Sequence, residues 1–489
     1  MPGDPDARRI PNFVDGADVG AQDGRWAEKR SPVDGRVLCE LARSGAADVE
    51  EAVAAARRSQ PAWATRTPVE RGEILRRAVE LLIRDGDELV AAVCAETGKP
   101  PRDARGELKA AVEMGYFVAG EGRRLYGHTM PSAVPHKASM LVRSPIGVAG
   151  LIVAANTPLP NYAWKVFPAL LCGNSAVLKP SEDTPWSAHL FAHLLHEAGV
   201  PAGALNVLQG LGPEAGSALV ADPGVDLVSF TGSSQVGRTI QTVAGNRLAK
   251  VCLELGGKNP LVVCDDADLG VAVKAAALSA FSNAGQRCAA GSRIIAVEPV
   301  YEEFRERLVA VTAELRLGTD DDADLGPVVN ERAVARILDA VEGALTRGAK
   351  LLAGGRRADG ALADGYFVEP TVLDEVDPHD PISTTELFGP VTCLYRARDL
   401  DDAIRLCNDS PFGLTAAVHT NSVHRGLHFA ERVQAGMVVV NGPTYGSEPH
   451  MPFGGFKQSG NGFREAGTEA LDAFSDWKNV CLIHDPDRI

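Results

Sequence analysis

The sequence lacks paired cysteines, a long apolar run and any excess of basic charge, and each absence narrows what the chain can be. Its nine cysteines, Cys39, Cys94, Cys172, Cys252, Cys264, Cys288, Cys393, Cys407 and Cys481, are scattered with no CxxC, so neither a disulfide framework nor a zinc ribbon is indicated. The longest apolar run, Ile146–Ala155, contains two glycines and covers about half of the ~20 residues that a bilayer span requires. Residues Met1 to Phe13 carry no apolar stretch of the kind found in a secretory leader. The expectation is a reduced, soluble, cytoplasmic protein with no membrane partner. Acidic side chains number 64 against 49 basic, a formal net charge of −15, which works against nucleic acid as a partner.

What is present is globular. The 489 residues are 45% apolar and 23% charged, which rules out whole-chain disorder. At roughly 100–200 residues per domain, this length implies two to four domains. The first third reads as mostly helical. Thr67-Pro68-Val69-Glu70 is a capping box with proline at the first helical position, and it opens an amphipathic run broken near Asp85-Gly86. A second helix through Leu89 and Val93 stops at Thr97-Gly98-Lys99-Pro100.

From about 146 the rhythm changes. Short apolar runs at Val148–Val153, Ala176–Leu178, Asn206–Leu208, Leu227–Phe230 and Leu261–Val263 alternate with helices starting near Pro185, Pro213 and Ser234. Thr184 is expected to cap the helix that starts at Pro185, repeating the threonine-cap, proline-first signal of Thr67-Pro68. This alternation predicts parallel sheets covered by helices, with ligands beyond the carboxyl ends of the strands. A second alternation follows, with a helix at Leu269–Phe281, a strand at Arg293–Val297, a helix at Val300–Leu315 and a strand near Phe367. Two α/β domains sharing an interface is the natural reading.

Three segments carry chemistry. Cys288 lies in Asn283-Ala284-Gly285-Gln286-Arg287-Cys288-Ala289, where glycine permits close approach of backbone and the preceding arginine favours thiolate. A buried, inert thiol also fits this pattern. Glu254, between two leucines and before Gly256-Gly257, is a buried acid of the kind that titrates high enough to serve as a general base, although a salt-bridged glutamate fits too. Phe230-Thr231-Gly232-Ser233, with Gly237, places glycines at a strand-to-helix turn, where phosphate meets backbone N–H groups. The spacing is not GxGxxG, and there is no P-loop, GxSxG or HExxH. His189, His193 and His196 share a helix face, and His424 with His428 forms another pair. Zinc needs a third, convergent ligand that the spacing does not supply, so no metal is expected.

Taken together and in this order, the segments resemble the aldehyde dehydrogenase superfamily, of the NAD(P)-dependent, hydrolytic type. The specific pieces are Glu96-Thr97-Gly98-Lys99, Leu178-Lys179-Pro180-Ser181-Glu182, Phe230-Thr231-Gly232-Ser233, Glu254-Leu255-Gly256-Gly257-Lys258, Gly285-Gln286-Arg287-Cys288, Glu386-Leu387-Phe388-Gly389-Pro390 and Pro452-Phe453-Gly454-Gly455-Phe456-Lys457-Gln458-Ser459-Gly460. The resemblance implies Cys288 as nucleophile, Asn156 as side-chain oxyanion donor, and Glu254 as the base that activates water against a thioester. It implies Lys179 and Glu182 at the adenosine ribose, Lys165 on the adenosine side, Gly232, Ser233 and Gly237 at the pyrophosphate, and Glu386 with Phe388 at the nicotinamide ribose. A carboxylate at 182 would repel a 2′-phosphate, which favours NAD, with NADP as the alternative.

The implied fold is α/β. A Rossmann-like cofactor-binding domain (1–126 and 146–256) joins an α/β catalytic domain (257–458), with a small β oligomerisation extension and C-terminal segment (127–145 and 459–489). The implied assembly is a homodimer or homotetramer. Ala154-Ala155-Asn156-Thr157, Asn161, Tyr162 and Ser282 depart from the aromatic pocket of many relatives, so a polar aldehyde or semialdehyde is expected as substrate. Gly462-Phe463-Arg464-Glu465 is one residue longer than the family's glycine-arginine-glutamate, which leaves Glu465 without an assigned role. Two alternatives remain open: a CoA-acylating semialdehyde dehydrogenase, and a catalytically silent NAD-binding relative.

Overall fold

The computed structural model describes residues 8–488. Its first seven-stranded sheet runs, from edge to edge, Lys250–Leu255, Leu227–Gly232, Val148–Ile152, Ser175–Lys179, Leu205–Val207, Asn12–Val14 and Ala17–Val19. The first five strands are parallel and the last two antiparallel. Val148–Ile152 and Ser175–Lys179 are buried along their whole length, as parallel strands covered on both faces must be. Helices Pro158–Leu171 and Pro185–Glu197 pack one face, and Ala46–Thr65, Ser217–Ala221 and Ser234–Gly245 the other. In chain order the parallel strands occupy positions 5-4-1-2-3. The switch point therefore falls between Val148–Ile152 and Leu227–Gly232, where an open α/β sheet leaves its ligand crevice.

A second seven-stranded sheet is ordered Lys350–Ala353, Thr371–Asp374, Val391–Ala397, Gly291–Val297, Asn259–Val263, Thr415–His419 and Met437–Val440, with only the first pair antiparallel. It has its own core, built on Leu261–Val263, Ile294–Ala296 and helices Leu269–Phe281, Tyr301–Glu314 and Glu331–Thr346. A three-stranded antiparallel sheet joins Ser475–Ile483, Lys137–Pro145 and His128–Met130. No helix among the described residues is long and apolar enough to cross a membrane.

The alternating pattern beyond residue 146 is present, and Leu269–Phe281 has the expected bounds. The Thr67 capping box forms in both directions, Thr67 Oγ1 accepting from the Glu70 amide at 3.2 Å and Glu70 accepting from the Thr67 amide at 2.8 Å. Four expectations need correction. Residues 8–42 form five short strands, most of them too brief to show a period of two, before the helices begin. The start near Pro213 is a single wide turn, Gly212–Gly216, followed by the short helix Ser217–Ala221. The strand expected near Phe367 lies at Thr371–Asp374, after Pro370. Thr184 does not cap its helix, because its hydroxyl accepts from Tyr162 at 3.1 Å. Buried Glu96 receives the first-turn amides of Trp186 and Ser187 instead, at 2.5 and 3.2 Å.

Candidate active site

Cys288 follows a turn in which Asn283, Ala284 and Gly285 all take left-handed backbone angles, with φ of 54°, 52° and 66°. Two of these are not glycine, so the loop stores strain that its contacts must hold. Asn283 Nδ2 donates to the carbonyls of Asn156 at 3.0 Å and Gln286 at 3.2 Å. Gln286 bonds back to Asn283 and across to Pro327 and Val329. Asn259 Nδ2 donates to the Cys288 carbonyl at 2.8 Å, and a Cβ on Gly257 would collide with that same oxygen. The Cys288 loop is thus tied both to the Asn156 loop and to the segment that follows Glu254.

Asn156 lies beyond the carboxyl end of Val148–Ile152, at the switch point. Its carbonyl also accepts from Lys99 Nζ at 2.7 Å, and Lys99 forms a buried ion pair with Glu107. Asn161 Nδ2 donates to the Ala154 carbonyl at 3.0 Å and to Asn156 Oδ1 at 3.2 Å. A main-chain carbonyl can only accept, so Asn161 presents its nitrogen, and Asn156 must answer with its oxygen. The Asn156 amide nitrogen is left without a protein acceptor among the described residues, the state an oxyanion donor requires.

Glu254 sits on Lys250–Leu255 with both carboxylate oxygens buried and, among the described residues, unpartnered. Burial, and next the neighbouring Glu465, hold it well above the usual carboxylate range against the pull of Lys165 and Arg464. Gly454 makes room for it, since a Cβ there would lie 2.6 Å from Glu254 Oε1. Glu465 is buried, ion-paired with Lys165, and held by backbone hydrogen bonds of 2.7 and 2.8 Å to Phe453. The extra residue before Glu465 therefore leaves its carboxylate in the site. Lys165, expected on the adenosine side, instead bonds Ser229 Oγ at 2.8 Å and Glu465, within the Glu254 cluster.

The thiol differs from the expectation as well. Burial pushes Cys288 up to about 12, helped by Glu386 and Glu254, and Arg287 only partly offsets them. A thiol raised in this way needs a proton acceptor for its activation. Arg287 turns sideways: Nε donates to Ser282 Oγ at 3.2 Å, and the guanidinium lies over the Tyr445 ring at 4.8 Å. Trp164 and Phe453 meet edge to face at 5.6 Å.

The cofactor candidates fall into three groups. Lys179, buried at the end of its strand, donates to Glu182 Oε2 at 3.4 Å, and Arg332 approaches Glu182 Oε1 at 3.6 Å. Burial alone would raise Glu182, but Lys179 next to it draws it below the usual carboxylate range. Gly232 and Ser233 end the strand and cap helix Ser234–Gly245, with Ser233 Oγ accepting from the Val236 amide at 3.4 Å. Gly237 lets that helix press on Leu255, where a Cβ would come within 2.6 Å. Glu386 accepts from the Gly257 amide at 3.1 Å and is raised by burial to about 7, and Phe388 takes a φ of 54°. A Cβ on Gly256 would collide with the Glu386 carboxylate, which ties Glu386 to the same turn that faces Cys288. A separate cavity of about 580 Å³, lined by Asp265, Arg398, Asp401, His424, Arg425 and His428, shares no residue with this cluster.

The family model described as "Aldehyde dehydrogenase family" matches residues 19–480. The chain belongs to the aldehyde dehydrogenase family. It is 37% identical over 473 residues to the alpha-ketoglutaric semialdehyde dehydrogenase of Bacillus subtilis, covering 96% of this chain and 97% of that one. It is 38% identical over 481 residues to the 3-sulfolactaldehyde dehydrogenase of Pseudomonas putida, covering 98% of each. Among solved structures, betaine aldehyde dehydrogenase of Staphylococcus aureus in complex with NAD+ superimposes with a TM-score of 0.95 at 32% identity, over 98% of this chain and 95% of that one. This chain is accordingly an aldehyde dehydrogenase, an oxidoreductase that uses a nicotinamide dinucleotide. Its crevice fits such a cofactor: a buried lysine–glutamate pair, a glycine-bounded helix N-terminus and a second glutamate follow one another along the switch point.

Proposed function

We propose that this aldehyde dehydrogenase oxidises a polar aldehyde, a semialdehyde foremost, to its carboxylic acid, with NAD as hydride acceptor and water as the deacylating nucleophile. The observation that carries the reading is Glu254: a buried carboxyl group with no protein partner for either oxygen, electrostatically coupled to Cys288. Structural carboxylates are paired, whereas this one is kept free for a substrate proton.

The Cys288 thiol passes its proton to ionised Glu254, which hands it on to Glu465 and Lys165, and the sulfur forms a C–S bond to the aldehyde carbon while the carbonyl oxygen takes the charge. The Asn156 amide, oriented by Asn161, and the Cys288 backbone N–H stabilise that oxygen in the thiohemiacetal. A hydride leaves this carbon as the C=O reforms in a thioester, and NAD held by Lys179, Glu182, Ser233 and Glu386 would supply the acceptor. Glu254 then takes a proton from water, whose oxygen attacks the thioester, and the C–S bond breaks to give carboxylate and thiol. Glu465 and Lys165 carry that proton away from Glu254. Lys179 and Glu182 hold the adenosine ribose, Gly232, Ser233 and Gly237 the pyrophosphate, and Glu386 and Phe388 the nicotinamide ribose. Of the segments expected to form the cofactor domain, 1–126 and 146–256, residues 1–7 lie outside the described residues; we assign 8–126 with 146–256 to that domain and 257–458 to the catalytic domain.

The substrate reading rests on Arg287. Among the described residues it makes no ion pair, and its outer nitrogens have no protein acceptor, one position away from the nucleophile. A free guanidinium fork takes a carboxylate in bidentate fashion. The names of two of the three relatives above denote aldehydes that bear a second, anionic group. The Ser475–Ile483 strand exposes Trp477, Leu482 and Ile483 at the edge of the small three-stranded sheet, which supports its use in a homodimer or homotetramer. Nine free thiols fit a cytoplasmic setting.

The test is NADH formation across carboxylated, hydroxylated, aliphatic and aryl aldehydes, with product analysis. The free acid should form without added thiol, and Arg287→Met should raise KM at least tenfold for carboxylated aldehydes alone. Product that appears only with CoA, as a thioester, would overturn the hydrolytic assignment. Equal effects of Arg287→Met on neutral and carboxylated aldehydes would overturn the substrate class. NAD binding without turnover on any aldehyde would favour a silent relative.

A further inference from the structure

The histidine face of helix Pro185–Glu197 has no place in the dehydrogenase chemistry. It does not stand alone, however: edge strand Ala17–Val19 carries Asp18 across to it. Asp18 Oδ1 lies 2.9 Å from His193 Nε2 and 3.6 Å from His189 Nε2. The two imidazoles, one helical turn apart, have ring centroids 4.5 Å apart, and the three ligand atoms lie within 4.8 Å of one another. Donors about 2 Å from a common centre in tetrahedral array stand roughly 3.3 Å apart, so the geometry closes with small rotations of three side chains. The ligand that the histidine spacing lacked is supplied by a distant segment of chain.

The surroundings favour coordination over a simple ion pair. The His189 side chain is largely buried between the helix and the edge strand, which holds its ring in place. Phe13 packs against the His193 ring at 4.7 Å and against His196 at 5.6 Å, which limits the rotamers of the helix face. Asp18 and His193 are nearly half exposed, leaving room for water as a fourth ligand. His189 Nδ1 has no hydrogen-bond partner, so the outer shell that sharpens a high-affinity site is missing on that side.

We propose that Asp18, His189 and His193 bind one borderline divalent cation, zinc foremost, which clips the Asn12–Val19 hairpin to helix Pro185–Glu197 of the cofactor domain. Two imidazoles and a single carboxylate match zinc, nickel or cobalt, and do not match magnesium or calcium, which require mostly oxygen ligands. With two of the ligands half exposed and one outer shell incomplete, binding is in the micromolar range and reversible by chelators.

Equilibrium dialysis of the full chain against zinc, with metal counting, tests this on the protein alongside Asp18→Asn and His193→Ala. Zinc bound by thiols, Cys288 included, is common to all three proteins and cancels in the comparison. The intact chain should hold one equivalent more than either variant, and zinc should raise its melting temperature while leaving that of the variants unchanged. In the absence of zinc, melting temperatures that agree within a few degrees show that the variants are folded. Identical zinc stoichiometry and affinity in all three proteins would overturn the proposal, as would equal stabilisation by magnesium.

Discussion

Glu254 and Glu465 share one buried pocket, and the ion pair with Lys165 belongs to Glu465 alone. Glu254 is consequently the carboxyl group held well above the usual carboxylate range, with burial as the first cause and Glu465 as the second. A base must lose its proton before it acts, so deacylation should rise with pH through the elevated Glu254 value. Because the two carboxyls are coupled, the profile reports the pair and not one residue.

Glu465→Gln removes the like charge that raises Glu254 and frees Lys165 to attract it. Both changes lower the Glu254 value, so the ascending limb of the kcat–pH profile should shift to lower pH by about one unit. An unmoved limb would show that Glu465 has no part in the proton path.

Asn161 acts through Asn156. Asn161→Ala leaves the Asn156 amide free to turn, and kcat should fall about tenfold with KM for NAD unchanged. Asn156→Ala, which deletes the donor, should cost about 10²–10³ in kcat. Equal activity of the Asn161→Ala protein and the parent would contradict the positioning role.

Cys288→Ala should abolish dehydrogenase turnover by at least about 10⁴-fold while NAD still binds. Retained turnover would remove Cys288 from the chemistry. Isothermal titration with NAD separates loss of the nucleophile from loss of the fold.

Glu182→Thr removes the carboxylate that opposes a 2′-phosphate and leaves Lys179 and Arg332 facing the ribose site. The ratio of kcat/KM for NADP to that for NAD should rise at least tenfold. An unchanged ratio would place the adenosine ribose elsewhere.

Much of this architecture is legible in the sequence, because fully buried parallel strands such as Val148–Ile152 read as apolar runs, and capped helices such as Pro68–Arg84 announce their first turn. Strands of three residues, such as Arg8–Ile10 and Asn12–Val14, carry no such signal and exist through partners far along the chain. In the site, Cys288, Glu254 and Asn156 stand out by their neighbours. Lys165 and Glu465 do not, since their meaning lies in a contact across 300 residues. The same limit hid Glu96 as the true cap of helix Pro185–Glu197, and Asp18 as the partner of its histidines. Local composition also misjudged the thiol: the adjacent Arg287 promises a thiolate, but burial and two carboxylates outweigh it.

The central claim is that Cys288 carries an acyl group that Glu254 helps water to remove. Rapid mixing of the Glu254→Gln protein with aldehyde and excess NAD, followed by mass analysis, tests it directly. One equivalent of NADH per site, an acyl adduct on Cys288 and almost no further turnover is the predicted result. Undiminished steady-state turnover, or a burst without any adduct on Cys288, would contradict it.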